Sequence, residues 1–204
     1  MADRPLTQEQ TPTEDQGRTE QQRKWRASVR ASLETTTGRS LAQWVEIAGQ
    51  CPETRPRARQ KWFKDVHGLG QNYAMLVMGE AARAAGVPRS TPEQTAAALW
   101  TDANAAAIAR ALQAKVDAID GAITGQRKTY ATWSRRYAFA AARPGRPAST
   151  VRLGLALEPD ADPRLSPPGR EGWSERLKST LVLVSATEVD AAVATLLRQA
   201  FAAS

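Results

Sequence analysis

Histidine and cysteine are almost missing from this sequence, whose 204 residues include one of each, His67 and Cys51. A single cysteine excludes a disulfide within the chain. Zinc sites in proteins use several cysteine or histidine ligands, which this sequence cannot supply. We therefore expect no metal and no other cofactor.

Long apolar runs are also missing. No stretch reaches the length of roughly 20 apolar residues that a membrane-spanning helix needs. Residues 1–22 are rich in Thr, Gln, Glu and Pro and contain no apolar signal segment. Because this segment has almost nothing to bury, it is expected to be a disordered tail. The expectation for the whole chain is a cytoplasmic protein with no membrane partner.

The motifs of several common enzyme classes are absent as well. The sequence contains neither a P-loop nor a GxSxG nucleophile elbow. Cys51 is followed by Pro52, and it is expected to be a buried small hydrophobic residue and not a reactive thiolate. The sequence therefore favours a protein without enzymatic activity, with catalysis by a lone Lys or Tyr left open.

Acidic residues are scarce in one part of the chain. Overall, 28 Lys and Arg stand against 21 Asp and Glu, a formal net charge of +7. Residues 121–157 contain no Asp or Glu, and their basic residues are Arg127, Lys128, Arg135, Arg136, Arg143, Arg146 and Arg152. This balance favours a polyanion, DNA or RNA, as partner. The alternative is an arginine-rich surface typical of a bacterium with a GC-rich genome, which the many alanines and arginines also fit.

Helical periodicity over residues 23–87 predicts a small module of four helices. Trp25, Val29 and Leu33 are spaced i, i+4, i+8, so they are expected to share one buried helix face. Ser40 and Gln43 form a capping box at the start of the second helix.

Residues 88–204 predict a second module, in which a helical stretch to about Ile123 is followed by alternating apolar residues and a final helix. Four strands are expected, with Arg135 and Arg136 at a hairpin tip. The continuous apolar segment TLVLVSA predicts a strand that is central or covered on both faces. Ser185 and Glu188 are expected to cap the final helix. The predicted fold is α+β: a helical N-terminal module, then a four-stranded antiparallel sheet flanked by helices.

The segment WFKDVHGLGQNYAML, residues 62–76, predicts a helix, a glycine break and a second helix. In a helix-turn-helix protein the second helix enters the major groove. Here that helix would begin with Gln71 and Asn72, and these side chains pair well with adenine. Arg57, Lys61 and Lys64 share one face of the preceding helix and could contact phosphates.

The same segment has a purely structural interpretation. Gly68 and Gly70 would close one helix and turn the chain, Asn72 would cap the next helix, and the basic stripe would be a solvated face. His67 is expected to be structural, since a cation near a helix C-terminus is favoured by the helix dipole.

In the second module, aromatic residues alternate with the basic ones. A sheet face with aromatic side chains and a basic rim can hold single-stranded nucleic acid, because bases stack and cations contact phosphates. The candidate contacts are Arg127, Lys128, Arg135, Arg136, Arg143 and Arg146. The alternative is that the aromatic residues pack under the flanking helices; Tyr137 and Phe139 share the bulky face, which is typical of a core. A pocket for a small anion, formed by Lys128, Tyr130, Trp173 and Arg176, is a further hypothesis.

Two stretches carry a resemblance to known bacterial families. TTTGRSLAQWVEIA and RQKWFKDVHGLGQNYAMLV resemble the domain of unknown function 4287, with its Thr-Gly-Lys/Arg-Ser segment before a Trp helix. KTYATW, YAFA, TVRLGLAL and STLVLVSATEVDAAVATLL are similar to the domain of unknown function 5655. The resemblance implies two modules in this order and supplies no mechanism. The preferred hypothesis is a binding protein for nucleic acid, and the alternative is a small-molecule or protein-interaction module.

Overall fold

The structure is a computed structural model that describes residues 17–204. Most of the segment predicted as a tail, residues 1–16, lies outside the described residues. The described chain divides into two compact units: a helical unit, Glu20–Ser90, and a second unit that comprises Thr91–Ser204 with the few residues before Glu20.

The helical unit has four helices: α1 (Glu20–Thr37), α2 (Leu41–Gly49), α3 (Pro56–His67) and α4 (Gln71–Ala84). Its buried core consists of Leu33, Trp44, Ala48, Phe63, Leu69, Ala74 and Val77. The predicted capping box is confirmed, since Ser40 Oγ accepts the Gln43 N–H and the Gln43 side chain accepts the Ser40 N–H. The predicted face of α1 is wrong at Trp25, which is 53% exposed, whereas Leu33 is buried. α1 also includes residues 20–22 of the predicted tail.

The second unit is an α+β structure with helices α5 (Pro92–Leu99), α6 (Ala103–Asp117) and α7 (Ala191–Ala202). Its strands are β1 (Ile123–Gln126), β2 (Ala131–Ser134), β3 (Ala138–Pro144), β4 (Val151–Leu155) and β5 (Ser179–Leu183). All five form one antiparallel sheet in the order β1-β2-β3-β4-β5. The α+β prediction is confirmed, but the sheet has five strands and not four. α6 ends at Asp117, the chain turns at Gly121 (φ 78°), and β1 follows where no strand was expected.

One face of the sheet packs against α6 and α7. The register pairs Ala140 with Leu155 and Ala142 with Leu153, so these side chains point to the same face. The core of this unit includes Ile108, Leu112, Trp133, Phe139, Val151, Leu153, Leu155, Leu183, Val193 and Leu197. Val151, Leu153 and Leu155 therefore share the buried face of β4.

The opposite face of the sheet carries residues 169–177 of the long β4–β5 connection, which we call the strap. Gly154 lies under the strap, and a Cβ atom on this glycine would lie 2.6 Å from Cζ2 of Trp173. Farther along, the Arg176 guanidinium stacks on the Tyr137 ring, 3.8 Å from its centroid. The strap thus follows the sheet from the middle of β4 to the β2–β3 turn.

Two predictions for the end of the chain are wrong. β5 is an edge strand of the sheet, and its Val182 is 47% exposed, so it is neither central nor covered on both faces. Ser185 and Glu188 do not cap the last helix; Asp190 does, by accepting the Val193 N–H. Glu188 instead accepts the backbone N–H of Val184 at the end of β5.

A bilayer crossing requires a long and apolar helix, and no helix in residues 17–204 has this combination of length and composition.

Candidate polyanion-binding site

Because the strands are antiparallel, the predicted basic residues lie at two different ends of the sheet. The β1–β2 turn and the β3–β4 turn lie at one end, which we call the basic end, and the β2–β3 turn lies at the other. Arg127, Lys128 and Arg146 therefore belong to the basic end, whereas Arg135 and Arg136 belong to the opposite end. The seven residues of β3 separate the two ends by roughly 20 Å.

The site is organised around two arginines that face each other across adjacent strands. Arg143 on β3 and Arg152 on β4 are direct cross-strand partners. Like charges in such positions repel and destabilise a sheet. Glu171 of the strap contacts both: its carboxylate forms an ion pair with Arg152, and its backbone oxygen accepts a hydrogen bond of 2.7 Å from Arg143 Nη1. The Glu171 side chain is only 4% exposed.

A pocket of about 300 Å³ lies beside this pair, and we call it the basic pocket. Its lining residues are Arg143, Pro144, Gly145, Arg146, Arg152, Arg170 and Glu171. Four guanidinium groups therefore line the pocket with a single carboxylate from the described residues. Arg146 and Arg170 are exposed, and neither has an ion pair within residues 17–204. The pocket keeps a net positive charge that an anion could neutralise.

The turn that carries Arg146 is held by hydrogen bonds on both sides. Gly145 N–H donates to the Thr150 carbonyl at 2.8 Å, and Thr150 Oγ1 donates to the Pro147 carbonyl at 2.8 Å. A Cβ on Gly145 would collide with Thr150 Oγ1, so a larger residue here would displace the hydroxyl that bonds the Pro147 carbonyl. Asn104 of α6 donates to the Ser149 carbonyl at 2.9 Å. The turn therefore presents Arg146 on a fixed backbone.

A second pocket shares Arg152 but is electrostatically balanced. It measures about 540 Å³, lies along β5 and is also lined by Arg164 and Glu188. Arg164 donates two hydrogen bonds to Asp162, at 2.9 and 3.0 Å, and this pairing lowers the pKa of the Asp162 carboxyl. Because its second arginine is already neutralised, this pocket is a weaker candidate for an anion.

At the opposite end of the sheet, the two predicted arginines stack on aromatic rings. The Arg135 guanidinium stacks over the Phe201 ring, 5.1 Å from the centroid, and Arg136 stacks over Tyr137 at 5.4 Å. Both arginines remain exposed. The hairpin tip predicted at these residues is confirmed, since Arg135 N–H bonds to the Tyr137 carbonyl at 3.0 Å.

The aromatic residues predicted to alternate with the basic ones do not form an open stacking surface. Trp133 is 1% exposed and Phe139 is fully buried, both in the core under the helices. Tyr137 is half-buried between Arg136 and Arg176. The interpretation of the aromatic residues as core is therefore the one that the structure favours for Trp133 and Phe139.

The four residues of the hypothetical small-anion pocket do not lie together. Lys128 and the half-buried Tyr130 both lie in the β1–β2 turn, at the basic end. Trp173 covers Gly154 in the middle of the sheet, and Arg176 contacts Tyr137 at the opposite end. The four residues therefore occupy three different places on the unit.

The candidate residues of the helical unit are all on its surface. Arg57, Lys61, Lys64, Gln71 and Asn72 are exposed. Lys61 forms an ion pair with Asp65 one turn later, and this hydrogen bond raises the pKa of the Lys61 ammonium. Arg57 and Lys64 have no ion pair among residues 17–204. Two of the three candidate cations on α3 are thus available to phosphate.

The glycine break between α3 and α4 closes the first helix as the structural interpretation predicts. Gly68 has a left-handed φ of 64°, and its N–H donates to the Lys64 carbonyl. Leu69 N–H donates to the Phe63 carbonyl and its side chain is buried. The cap of α4 is Gly70 and not Asn72.

His67 lies among aromatic rings and not in a catalytic arrangement. Its ring centroid is 4.6 Å from that of Trp62 and 5.7 Å from that of Trp44, both edge-on. Cys51 is a free thiol that is half-buried, so the expectation of a buried residue is wrong. Within residues 17–204, no group of three His, Cys, Asp or Glu side chains could hold a metal ion.

Three charged residues of the basic pocket were not among the candidate contacts predicted from the sequence. Arg152 was recognisable, since Arg143 and Arg152 flank the turn between β3 and β4 at positions that a hairpin brings together. Arg170 and Glu171 had no such signal, because they come from a long connection whose path over the sheet has no periodic pattern.

The fold and the site together define a two-unit protein in which a helical unit precedes an α+β unit with a basic pocket. Residues 94–204, more than half of the chain, match the family described as domain of unknown function (DUF5655), and the chain belongs to this family. Residues 25–83 match the domain of unknown function (DUF4287). No curated protein and no solved structure shows a significant match to this chain. Both predicted resemblances are confirmed.

Proposed function

We propose that this chain is a non-enzymatic binding protein that associates with DNA or RNA through phosphate groups at the basic pocket. The observation that carries the proposal is the cross-strand pair of Arg143 and Arg152, joined in one pocket by Arg146 and Arg170 with a single carboxylate from the described residues. Arginine suits this role because its planar fork binds phosphate oxygens in pairs.

The basic end is long enough to contact more than one phosphate. The β1–β2 turn, with Arg127 and Lys128, is two strand spacings from the β3–β4 turn, which is roughly 10 Å. One nucleic-acid strand carries a charge about every 3.4 Å along a duplex axis. About three phosphate intervals, or roughly three to four consecutive phosphates, would therefore span the two turns.

The burial of the aromatic residues favours binding to the backbone over reading of bases. Trp133 and Phe139 are not exposed for stacking. Phosphate contacts position a protein without carrying sequence information. We therefore expect weak dependence on base sequence.

The helical unit supplies a separate candidate contact through Arg57 and Lys64. Both are exposed on α3 and lack ion pairs within residues 17–204. Gln71 and Asn72 are exposed at the start of α4, where they are candidates for base contacts. Separate substitutions on α3 and on α4 would distinguish phosphate contacts from base contacts by this unit.

The test is fluorescence anisotropy with short labelled single-stranded DNA, single-stranded RNA and duplex DNA, titrated from low to physiological salt. Binding should weaken steeply as salt rises. The double variant R146Q/R170Q should bind less tightly, and on a single strand its salt slope should fall by about 0.7 for each phosphate that the variant no longer neutralises. R57Q/K64Q measures the contribution of the helical unit in the same way.

The matched control is R135Q/R136Q, which removes the same charge from the opposite end of the sheet. Equal weakening by both double variants would mean that net charge, and not the basic pocket, drives association. Failure of the unmodified protein to bind all three nucleic acids at low salt would contradict the proposal.

A small phosphorylated ligand is the second candidate, because the pocket volume of about 300 Å³ is at the lower limit for small-molecule sites. Under this alternative, pyrophosphate would raise the melting temperature of the unmodified protein but not of R146Q/R170Q, and oligonucleotides would not bind.

A further inference from the structure

A separate cavity of about 350 Å³ lies in the α+β unit, on the helix side of the sheet. It is formed by α5, α6 and the strands β1 and β2, and it includes none of the residues of the basic pocket. Its volume is within the range of small-molecule sites.

The walls of this cavity are mostly apolar and include aromatic rings, with Arg110, Gln113 and Gln126 as the polar lining residues. Small side chains on the two helices, including Ala106 and Ala109, leave the space open, and the indoles of Trp100 and Trp133 line it. Trp133 is almost fully buried at the base of the cavity, so the accessible indole is that of the half-buried Trp100. An apolar wall with an accessible indole favours a planar aromatic ligand, which can stack or pack edge-on against it.

The ring of Trp133 is fixed by its own hydrogen bonds. Its Nε1–H donates to Gln113 Oε1 at 2.8 Å, and Gln113 Nε2 donates to Asp117 and Thr124 at 2.6 and 2.9 Å. These polar groups are satisfied within the protein. A ligand in contact with this wall therefore needs no hydrogen bond to it, and the wall is already ordered before a ligand arrives.

Among the described residues, the one cation that lines the cavity is Arg110. It is exposed, and it has no hydrogen bond or ion pair within residues 17–204. No Asp or Glu from this part of the chain lines the cavity. A guanidinium without a partner beside an apolar cavity complements a carboxylate carried by the ligand.

We propose that this cavity binds a small planar aromatic carboxylate, with the ring against the half-buried Trp100 and the carboxylate paired with Arg110. The site is independent of nucleic-acid binding, since it lies on the other side of the sheet from the basic pocket and shares no residue with it.

The test uses 2-naphthoate and its uncharged analogue 2-naphthalenemethanol, measured with the full-length protein by calorimetry and by saturation-transfer NMR. The carboxylate should bind more tightly than the alcohol. R110Q should weaken naphthoate binding by up to about fivefold, the contribution of an exposed ion pair, and leave the alcohol unchanged. A109L, which fills the cavity, should abolish binding of both compounds.

Lys115→Gln is the matched control, because it removes one positive charge from the same helix at a position that does not line the cavity. It should change neither affinity. Circular dichroism would establish that A109L is folded, and R110Q alters only an exposed side chain, so its result does not depend on that variant. The proposal is overturned if the unmodified protein binds neither compound at millimolar concentration, or if R110Q and K115Q have the same effect on naphthoate.

Discussion

The carboxylate of Glu171 should affect both the stability of the protein and its affinity for anions, and the substitution Glu171→Gln tests these two effects. Glu171 reduces the repulsion between Arg143 and Arg152, and it also lowers the positive potential that an anion meets. The glutamine keeps the size of the side chain and one oxygen acceptor. We therefore expect the variant to be less stable than the unmodified protein but to bind anions more tightly.

The size of both effects follows from the contacts. The hydrogen bond to Arg152 loses its negative partner, and hydrogen bonds to charged groups contribute about 1.5–3 kcal/mol. Because the Arg152 side chain is 40% exposed, solvent screens part of this contribution, and we expect a loss of about 1–2 kcal/mol. This corresponds to a fall in melting temperature of roughly 4–10 °C. For the anion, one fewer negative charge nearby should improve affinity by about 1 kcal/mol, roughly fivefold.

Urea denaturation and oligonucleotide anisotropy at one fixed salt concentration measure the two quantities. The matched control is Glu175→Gln, since Glu175 belongs to the same strap and has no ion pair within residues 17–204. It should leave stability nearly unchanged. The reasoning would be refuted if E171Q were as stable as E175Q, or if it bound anions more weakly than the unmodified protein.

Two further predictions concern the frame of the α+β unit. Gly154→Ala would place a Cβ 2.6 Å from Cζ2 of Trp173, so we expect overpacking to lower the free energy of unfolding by about 1–3 kcal/mol in urea denaturation. The double variant that also carries Trp173→Leu should recover part of this loss. If G154A were as stable as the unmodified protein, the strap would not be held against β4. Asp190 accepts the Val193 N–H, and this hydrogen bond lowers the pKa of the Asp190 carboxyl. The stabilisation that the ionised carboxyl provides is therefore fully present above the unfolded-state pKa, near 3.9. It is lost as the pH falls through the lower folded-state pKa. The conservative variant D190N should accordingly be less stable than the unmodified protein at neutral pH, and the difference should shrink at pH 3; a constant difference would mean that the carboxyl charge does not contribute.

The parts of the fold that could be predicted are those whose signals are local. The capping box of α2 occurs as expected, because the side chain and the backbone that it bonds are three residues apart. β4 could be predicted from its alternation, since one face of that strand packs on the helices.

The wrong predictions concern elements whose tertiary surroundings decide the outcome. β1 has the sequence ITGQ, with one large apolar residue, and only its pairing with β2 makes it a strand. The apolar run of β5 suggested a central strand, but the outer edge of β5 is bridged only at Thr180 among the described residues, by Ser166 of the long connection, and Val182 stays exposed. Trp25 follows the helical period but has no core to face, since it is exposed on α1.

The cross-strand arginines are the feature of this molecule least explained by stability alone. Two cations in register weaken a sheet, and one carboxylate cannot fully compensate two guanidinium groups while Arg146 and Arg170 add charge to the same pocket. An anion that enters the pocket removes this repulsion, and it binds the folded state only. Ligand binding and stability should therefore be coupled, with stabilisation that grows as the logarithm of ligand concentration above the dissociation constant. Under the proposed function, the repulsion that destabilises the free protein would thus become part of the free energy of anion binding.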